Sequence, residues 1–115
     1  MAHYVLFDTE TTGNKEEDRV IQFGAMILDQ KGKVEAFNDF CSTNVDIKIE
    51  AMEVHNITPD LIIGKPTARE TSFYKRLEEL NTNENYIIAH NIAFDMGMIK
   101  KEGFINQYKQ IDTLR

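Results

Sequence analysis

Two acids near the N-terminus are spaced for joint chemistry. Asp8 and Glu10 stand in the run Phe7-Asp8-Thr9-Glu10-Thr11-Thr12-Gly13. In an extended strand, residues two apart project from the same face, so the two carboxylates lie side by side. Like charges placed this way stay ionised at neutral pH only beside a counter-ion or in ample water. A divalent cation supplies that charge, because Mg²⁺ takes carboxylate oxygens and keeps positions open for substrate phosphates. The plain alternative is the solvated face of a hairpin strand, the ordinary place for acids. The flanks weigh against it. Apolar Val5-Leu6-Phe7 precedes the pair and a Thr-Thr-Gly turn follows, so the acids sit where a buried strand emerges, a common position for sites in open sheets.

A second group is His90-Asn91-Ile92-Ala93-Phe94-Asp95, which follows the apolar run Tyr86-Ile87-Ile88-Ala89 and opens a helix. Asp95 falls one turn in, on the face of Asn91. Taken alone, it reads as an acid favoured by the helix dipole. His55, on a short helical segment, reads alone as a satisfied structural histidine. Cys41 reads as a small strand side chain, and a single cysteine forms no internal disulfide.

The elements that must position these groups follow from patterning. His3 to Thr9, Arg19 to Asp29 and Lys33 to Ser42 predict three strands in an antiparallel meander, joined through the polar loop Asn14–Asp18 and the turn Asp29-Gln30-Lys31-Gly32. The near-continuous apolar second strand predicts burial on both faces, and Gly24 within it predicts a bulge or a close backbone approach. Residues 45–63 predict short helical turns, with Thr58 as N-cap and Pro59 at the first helical position. Thr67 predicts the cap of a helix running to about Leu80, with Phe73, Leu77 and Leu80 on its core face. A strand over Asn85–Ala89, a helix ending near Gly103 and a strand over Tyr108–Leu114 complete an order of β-β-β then α-β-α-β. That order predicts an α/β domain: a mixed sheet of three antiparallel strands followed by βα units, with helices packed on it.

Composition bounds the rest. The 115 residues suit one domain spanning 1–115. The net charge of −6 excludes a strongly basic protein that grips duplexes by charge alone. Residues 1–64 carry the excess acid, 12 acidic against 5 basic side chains. No apolar run approaches the roughly 18 residues of a membrane helix. The N-terminus has no basic region ahead of an apolar one, so no signal peptide is expected, and a cytoplasmic location is.

Taken together, these residues are similar to the DnaQ-like 3′–5′ exonucleases, the DEDD group with a ribonuclease H-like fold. Phe7-Asp8-Thr9-Glu10-Thr11-Thr12-Gly13 resembles the family's first motif and His90-Asn91-Ile92-Ala93-Phe94-Asp95 its second. Ile21-Gln22-Phe23-Gly24-Ala25 resembles its second strand. Glu53-Val54-His55-Asn56-Ile57-Thr58-Pro59 and Gly64-Lys65-Pro66 resemble the segment between. The resemblance implies phosphodiester hydrolysis with two divalent cations, Mg²⁺ or Mn²⁺. By similarity Asp8 bridges the ions, Glu10 holds the one on the nucleophile side, and Asp95 supports the other. The backbone of Thr9, Thr11 and Thr12 meets the terminal nucleotide, and His55, Asn91 and Phe94 line its pocket. The implied substrate is a single-stranded or frayed DNA 3′ end, with RNA left open, and the relatives suggested are proofreading exonucleases that serve a DNA polymerase.

The family pattern also includes a third motif, with a fourth carboxylate and a His or Tyr that positions the water. Tyr108-Lys109-Gln110-Ile111-Asp112 has the tyrosine form's spacing. It follows the Gly103 helix end too soon to be that motif, and it reads as a strand opening. The resemblance thus implies an exonuclease domain without its last helices, through truncation, completion by another chain, or degeneration. Three expectations follow. Hydrolysis is weak or absent, since general acid–base help is worth about 10² to 10⁴ in rate. An uncovered apolar sheet favours a homo-oligomer. The alternative function is a non-catalytic module that keeps the fold and binds nucleic acid or protein.

Overall fold

The computed structural model describes residues 2–112. Its frame is one five-stranded sheet of β1 (His3–Thr11), β2 (Val20–Asp29), β3 (Val34–Phe40), β4 (Tyr86–Ala89) and β5 (Lys109–Asp112), in the order β3-β2-β1-β4-β5. β1–β2 and β2–β3 are antiparallel, whereas β1–β4 and β4–β5 are parallel. This is the mixed sheet expected from three short-linked strands followed by a βαβ crossover. Thr113 and Leu114, the end of the strand expected over Tyr108–Leu114, lie outside the described residues.

Four helices accompany the sheet: α1 (Ile49–His55), α2 (Pro59–Ile62), α3 (Ser72–Glu79) and α4 (Ile92–Lys101). α3 and α4 cover one face. Val5 and Phe7 of β1, Phe23 and Ile27 of β2 and Ile87 of β4 meet Phe73 and Leu77 of α3 and Met98 and Ile99 of α4 in a single core. Phe73 anchors it, with its ring centroid 5.2 to 6.0 Å from those of Phe7, Phe23 and Phe37. A smaller core of Ile21, Ile47, Ile57 and Ile62 lies under α1 and α2. Its members and the helices above it form one side of the pocket described below.

Three sequence expectations need correction. β2 is not buried on both faces: its burial alternates, and Met26 is 45% exposed. The reason is that helices cover only one side. Along the other side, paired neighbours Ala36, Met26, Leu6, Ile88 and Ile111 form a row across all five strands. Gly24 makes no bulge, because it pairs in register with Asp8 on one side and Asn38 on the other. The irregularity falls instead between Glu10 and Thr11, where Ile21 is the extra residue opposite. Finally, the helix expected from Thr67 to Leu80 is two elements. Thr67 and Glu70 form a capping box on a single 3-10 turn, Ala68–Glu70. Extended Thr71 then breaks the chain and caps α3, accepting from the Tyr74 amide.

Candidate active site

β1 delivers the acids to the rim of the sheet. Its burial alternates through Val5, Phe7, Thr9 and Thr11 inward and Leu6 and Asp8 outward. The bulge opposite Glu10 and Thr11 sits where the strand leaves the sheet, a place where bulges re-aim side chains. As a result Asp8 and Glu10 border two different hollows. Asp8 opens on a groove of the uncovered face with Gly24, Met26, Ile88 and His90. A Cβ added to Gly24 would meet nothing within 4 Å, so the space across from Asp8 is free. Glu10 borders a pocket of about 540 Å³ whose other sides are Thr9, Thr11, the Gly13–Lys15 loop, α1 and Phe94.

Asp95 enters from α4 and is buried, with its carboxylate accepting from the Thr9 hydroxyl at 2.6 Å. Burial pushes its carboxyl up to about 6; the Thr9 bond opposes that rise, and the charges of Asp8 and Glu10 add to it. Glu10 is also raised, first by burial and then by Asp8, against the opposing effect of His55. Asp95 and Glu10 thus sit where burial and the neighbouring acids disfavour further negative charge, which a cation would relieve.

The remaining candidates divide between the pocket and the fold. Thr9 and Thr11 border the pocket, but their hydroxyls are engaged with Asp95 and with the Gly13 carbonyl, the latter at 2.6 Å. Thr12 is fully buried. Its hydroxyl donates to Asp18 and accepts from the Arg19 amide, and its own amide and carbonyl are bonded to Arg19 and Lys48. It acts as a fold residue, and the structure does not bring its side chain to the pocket. His55 borders the pocket with both ring nitrogens occupied. Nδ1 accepts from the Ile57 amide and Nε2 donates to the Thr11 carbonyl, each at 3.0 Å. It joins α1 to β1, in keeping with the structural reading of a lone histidine. Phe94 is half-buried and forms part of the pocket surface. Asn91 is exposed at the N-terminus of α4 and is not among the residues lining that pocket.

Sequence reasoning passed over Lys15, Lys48 and Asp18. Lys15 and Lys48 border the pocket. Asp18 is the buried acceptor that Lys48 grips. An acid in the run Lys15-Glu16-Glu17-Asp18 reads as solvated, and only the fold shows that its last member turns inward. Cys41 is buried with its thiol pushed up to about 12 by that burial, so it is no nucleophile. Tyr108 is not a catalytic tyrosine. Its hydroxyl donates to the Leu77 carbonyl at 2.6 Å inside the core, and Asp112 stands on a strand.

The sequence model of the exonuclease family, RNase_T, matches residues 5–114. The chain belongs to the exonuclease family. This exonuclease domain is 37% identical over 99 residues to the PolC-type DNA polymerase III of Clostridium perfringens, covering 85% of the chain and 7% of that protein. It is 34% identical over 101 residues to the DNA polymerase III subunit epsilon of Treponema pallidum, covering 86% of the chain and 45% of that protein. The chain therefore spans less than half the length of these relatives. Escherichia coli Exonuclease I, solved with a dA16 oligonucleotide, superposes with a TM-score of 0.77 at 22% identity, over 97% of this chain and 28% of that one. That likeness carries the ribonuclease H-like fold. Proteins of the family generally use divalent metal ions. The donors present in the exonuclease domain suit such ions in kind, being hard carboxylate oxygens whose mutual repulsion a cation removes. Among the described residues no three His, Cys, Asp or Glu side chains already converge on one point.

Proposed function

We infer that this exonuclease domain binds two divalent cations, Mg²⁺ or Mn²⁺, through Asp8, Glu10 and Asp95, and removes nucleotides from the 3′ end of single-stranded or frayed DNA. The observation that carries this reading is the placement of Asp8 and Glu10 on β1 with buried Asp95 bonded to Thr9 between them, where Thr9 and Glu10 border a pocket large enough for a nucleotide. When bound, the cations supply an activated water and stabilise the attacking and leaving oxygens. The chain's own residues do the rest. Asp8 and Glu10 present their oxygens from one strand, so their relative position is fixed by β1. Thr9 orients Asp95 through its hydroxyl. Phe94 offers an aromatic surface to a terminal base, a contact type worth about 1–3 kcal/mol per base. Thr11 and His55 shape the pocket rather than contact the phosphate.

The relatives' names support a DNA polymerase as partner, and replication proteins of this kind are consistent with a cytoplasmic location. No helix among the described residues is long and apolar enough to cross a membrane. The test is a 5′-labelled single-stranded oligonucleotide incubated with Mn²⁺. The reading predicts slow stepwise shortening from the 3′ end that Asp8→Ala abolishes. Shortening that persists unchanged in Asp8→Ala overturns it.

One observation favours a second reading. Because the acids do not converge on one point and both nitrogens of His55 are engaged, the domain also suits a non-catalytic module that binds nucleic acid. Thermal stabilisation by an oligonucleotide with none by Mn²⁺ would select that reading over hydrolysis.

A further inference from the structure

The outer side of the pocket is α1, a helix with no buried residue of its own. Ala51 and Met52 reach the smaller core only in part. Its N-terminal end is fixed by a polar junction. The Asp18 carboxylate, with no exposed side-chain surface, accepts from the Thr12 hydroxyl at 2.7 Å and the Lys15 amide at 2.8 Å. It also accepts from the Lys48 ammonium at 2.9 and 2.7 Å. Lys48 is the N-cap residue of α1, and its own amide donates to the Thr12 carbonyl at 2.9 Å. A Cβ on Gly13 would collide with Asp18 Oδ2, so the loop is seated directly on this carboxylate. The two flanks of the pocket, the Gly13–Lys15 loop and α1, therefore meet at a single buried anion.

We propose that Asp18 is a positioning residue: through Lys48 and the Lys15 amide it holds the loop and α1 at the separation that seats a terminal nucleotide, without touching the substrate. This rests on the reading of the pocket as the seat of the 3′ end. Charge-assisted bonds to a buried carboxylate are strong, and leaving their donors without an acceptor is costly. Loss of the charge therefore loosens both flanks together, leaving the Lys48 ammonium with exposed Glu17 at 3.0 Å and the loop with its bonds to Lys101. The acids on β1 are held by the sheet and stay in place, so binding of the nucleotide suffers and the chemical step does not.

The test compares the wild-type chain with Asp18→Asn, Lys48→Met and Lys48→Arg. The first readout is amide hydrogen exchange over residues 49–56, which needs no activity. Exchange there accelerates by about tenfold or more in Asp18→Asn and Lys48→Met, stays near wild type in Lys48→Arg, and is unchanged in β1 and β4. The second readout is KM and kcat on a single-stranded oligonucleotide with Mn²⁺. KM rises by about tenfold in Asp18→Asn while kcat holds within about threefold. Unchanged exchange over 49–56, acceleration across the whole sheet, or an equal fall in kcat and kcat/KM overturns the proposal. A wild-type chain that cuts nothing bears on the nuclease reading alone, and the exchange comparison still decides for or against Asp18.

Discussion

Asp95 is where burial and charge pull against each other. Its folded value near 6 lies above its ordinary 3.8, with burial the main cause. Between those values the folded chain keeps a proton that the unfolded chain has released, so metal-free stability falls as pH rises through this window, by about 3 kcal/mol at most. Glu10 is shifted in the same direction. Asp18 and Glu35, held low by their Lys48 and Arg76 partners against the cost of burial, contribute stability that is lost only as pH falls below the ordinary carboxylate range. Denaturant titration in EDTA should therefore show greater stability at pH 5 than at pH 7.5. Asp95→Asn should remove most of that difference and stabilise the chain at pH 7.5 by about 1–3 kcal/mol, since the new amide oxygen still accepts from Thr9. A destabilised Asp95→Asn at pH 7.5 would contradict this account. Glycines give a second contrast. Gly13→Ala drives a Cβ into the Asp18 carboxylate and should cost about 1–3 kcal/mol, whereas Gly24→Ala enters open space and should be neutral or stabilise by up to about 1 kcal/mol. Equal melting temperatures for the two variants would sink that distinction.

At the scale of elements, what was legible followed local chemistry. The alternation of β1 placed Asp8 and Glu10 on one face, Thr58-Pro59 marked the start of α2, and the apolar spacing of Phe73 and Leu77 gave the core face of α3. What was not legible depends on partners distant in sequence. An apolar strand such as β2 does not reveal whether helices cover one face or two. Gly24 looked like a bulge, yet Asp8 and Asn38 pair with it in register. Thr71 and Thr67 carry equal capping signals, and the chain uses both. For the proposed site, the spacing of Asp8 and Glu10 made their place on one strand legible. Asp18 and Lys48 were not, because they lie 30 residues apart and meet only in the fold. Ile21 ties these levels together: it is the extra residue of the bulge and the centre of the core under α1 and α2. Ile21→Ala should destabilise the chain by about 2–5 kcal/mol, read as a lower denaturation midpoint with an unchanged slope. A loss under about 0.5 kcal/mol would show that this core carries little.

Among the described residues the sheet has one covered face and one open face. On the open side, Leu6 is 39% and Ile111 38% exposed, in a row with Met26 that spans the sheet. A contiguous apolar patch of this kind favours association, so sedimentation should show mass rising with concentration, and Met26→Glu should suppress the rise. A single monomeric species at every concentration would argue that the row is tolerated as solvent-exposed surface. The same face carries the Asp8 groove, so the open side adjoins the proposed cation site. If Asp8, Glu10 and Asp95 together hold the two cations, adding Mn²⁺ to the metal-free chain at pH 7.5 should raise its melting temperature. Stabilisation should approach 2.7 kcal/mol at about a hundred times the dissociation constant and be lost in Asp8→Ala and in Asp95→Asn. No shift in the wild-type chain, or one that survives both substitutions, would contradict it.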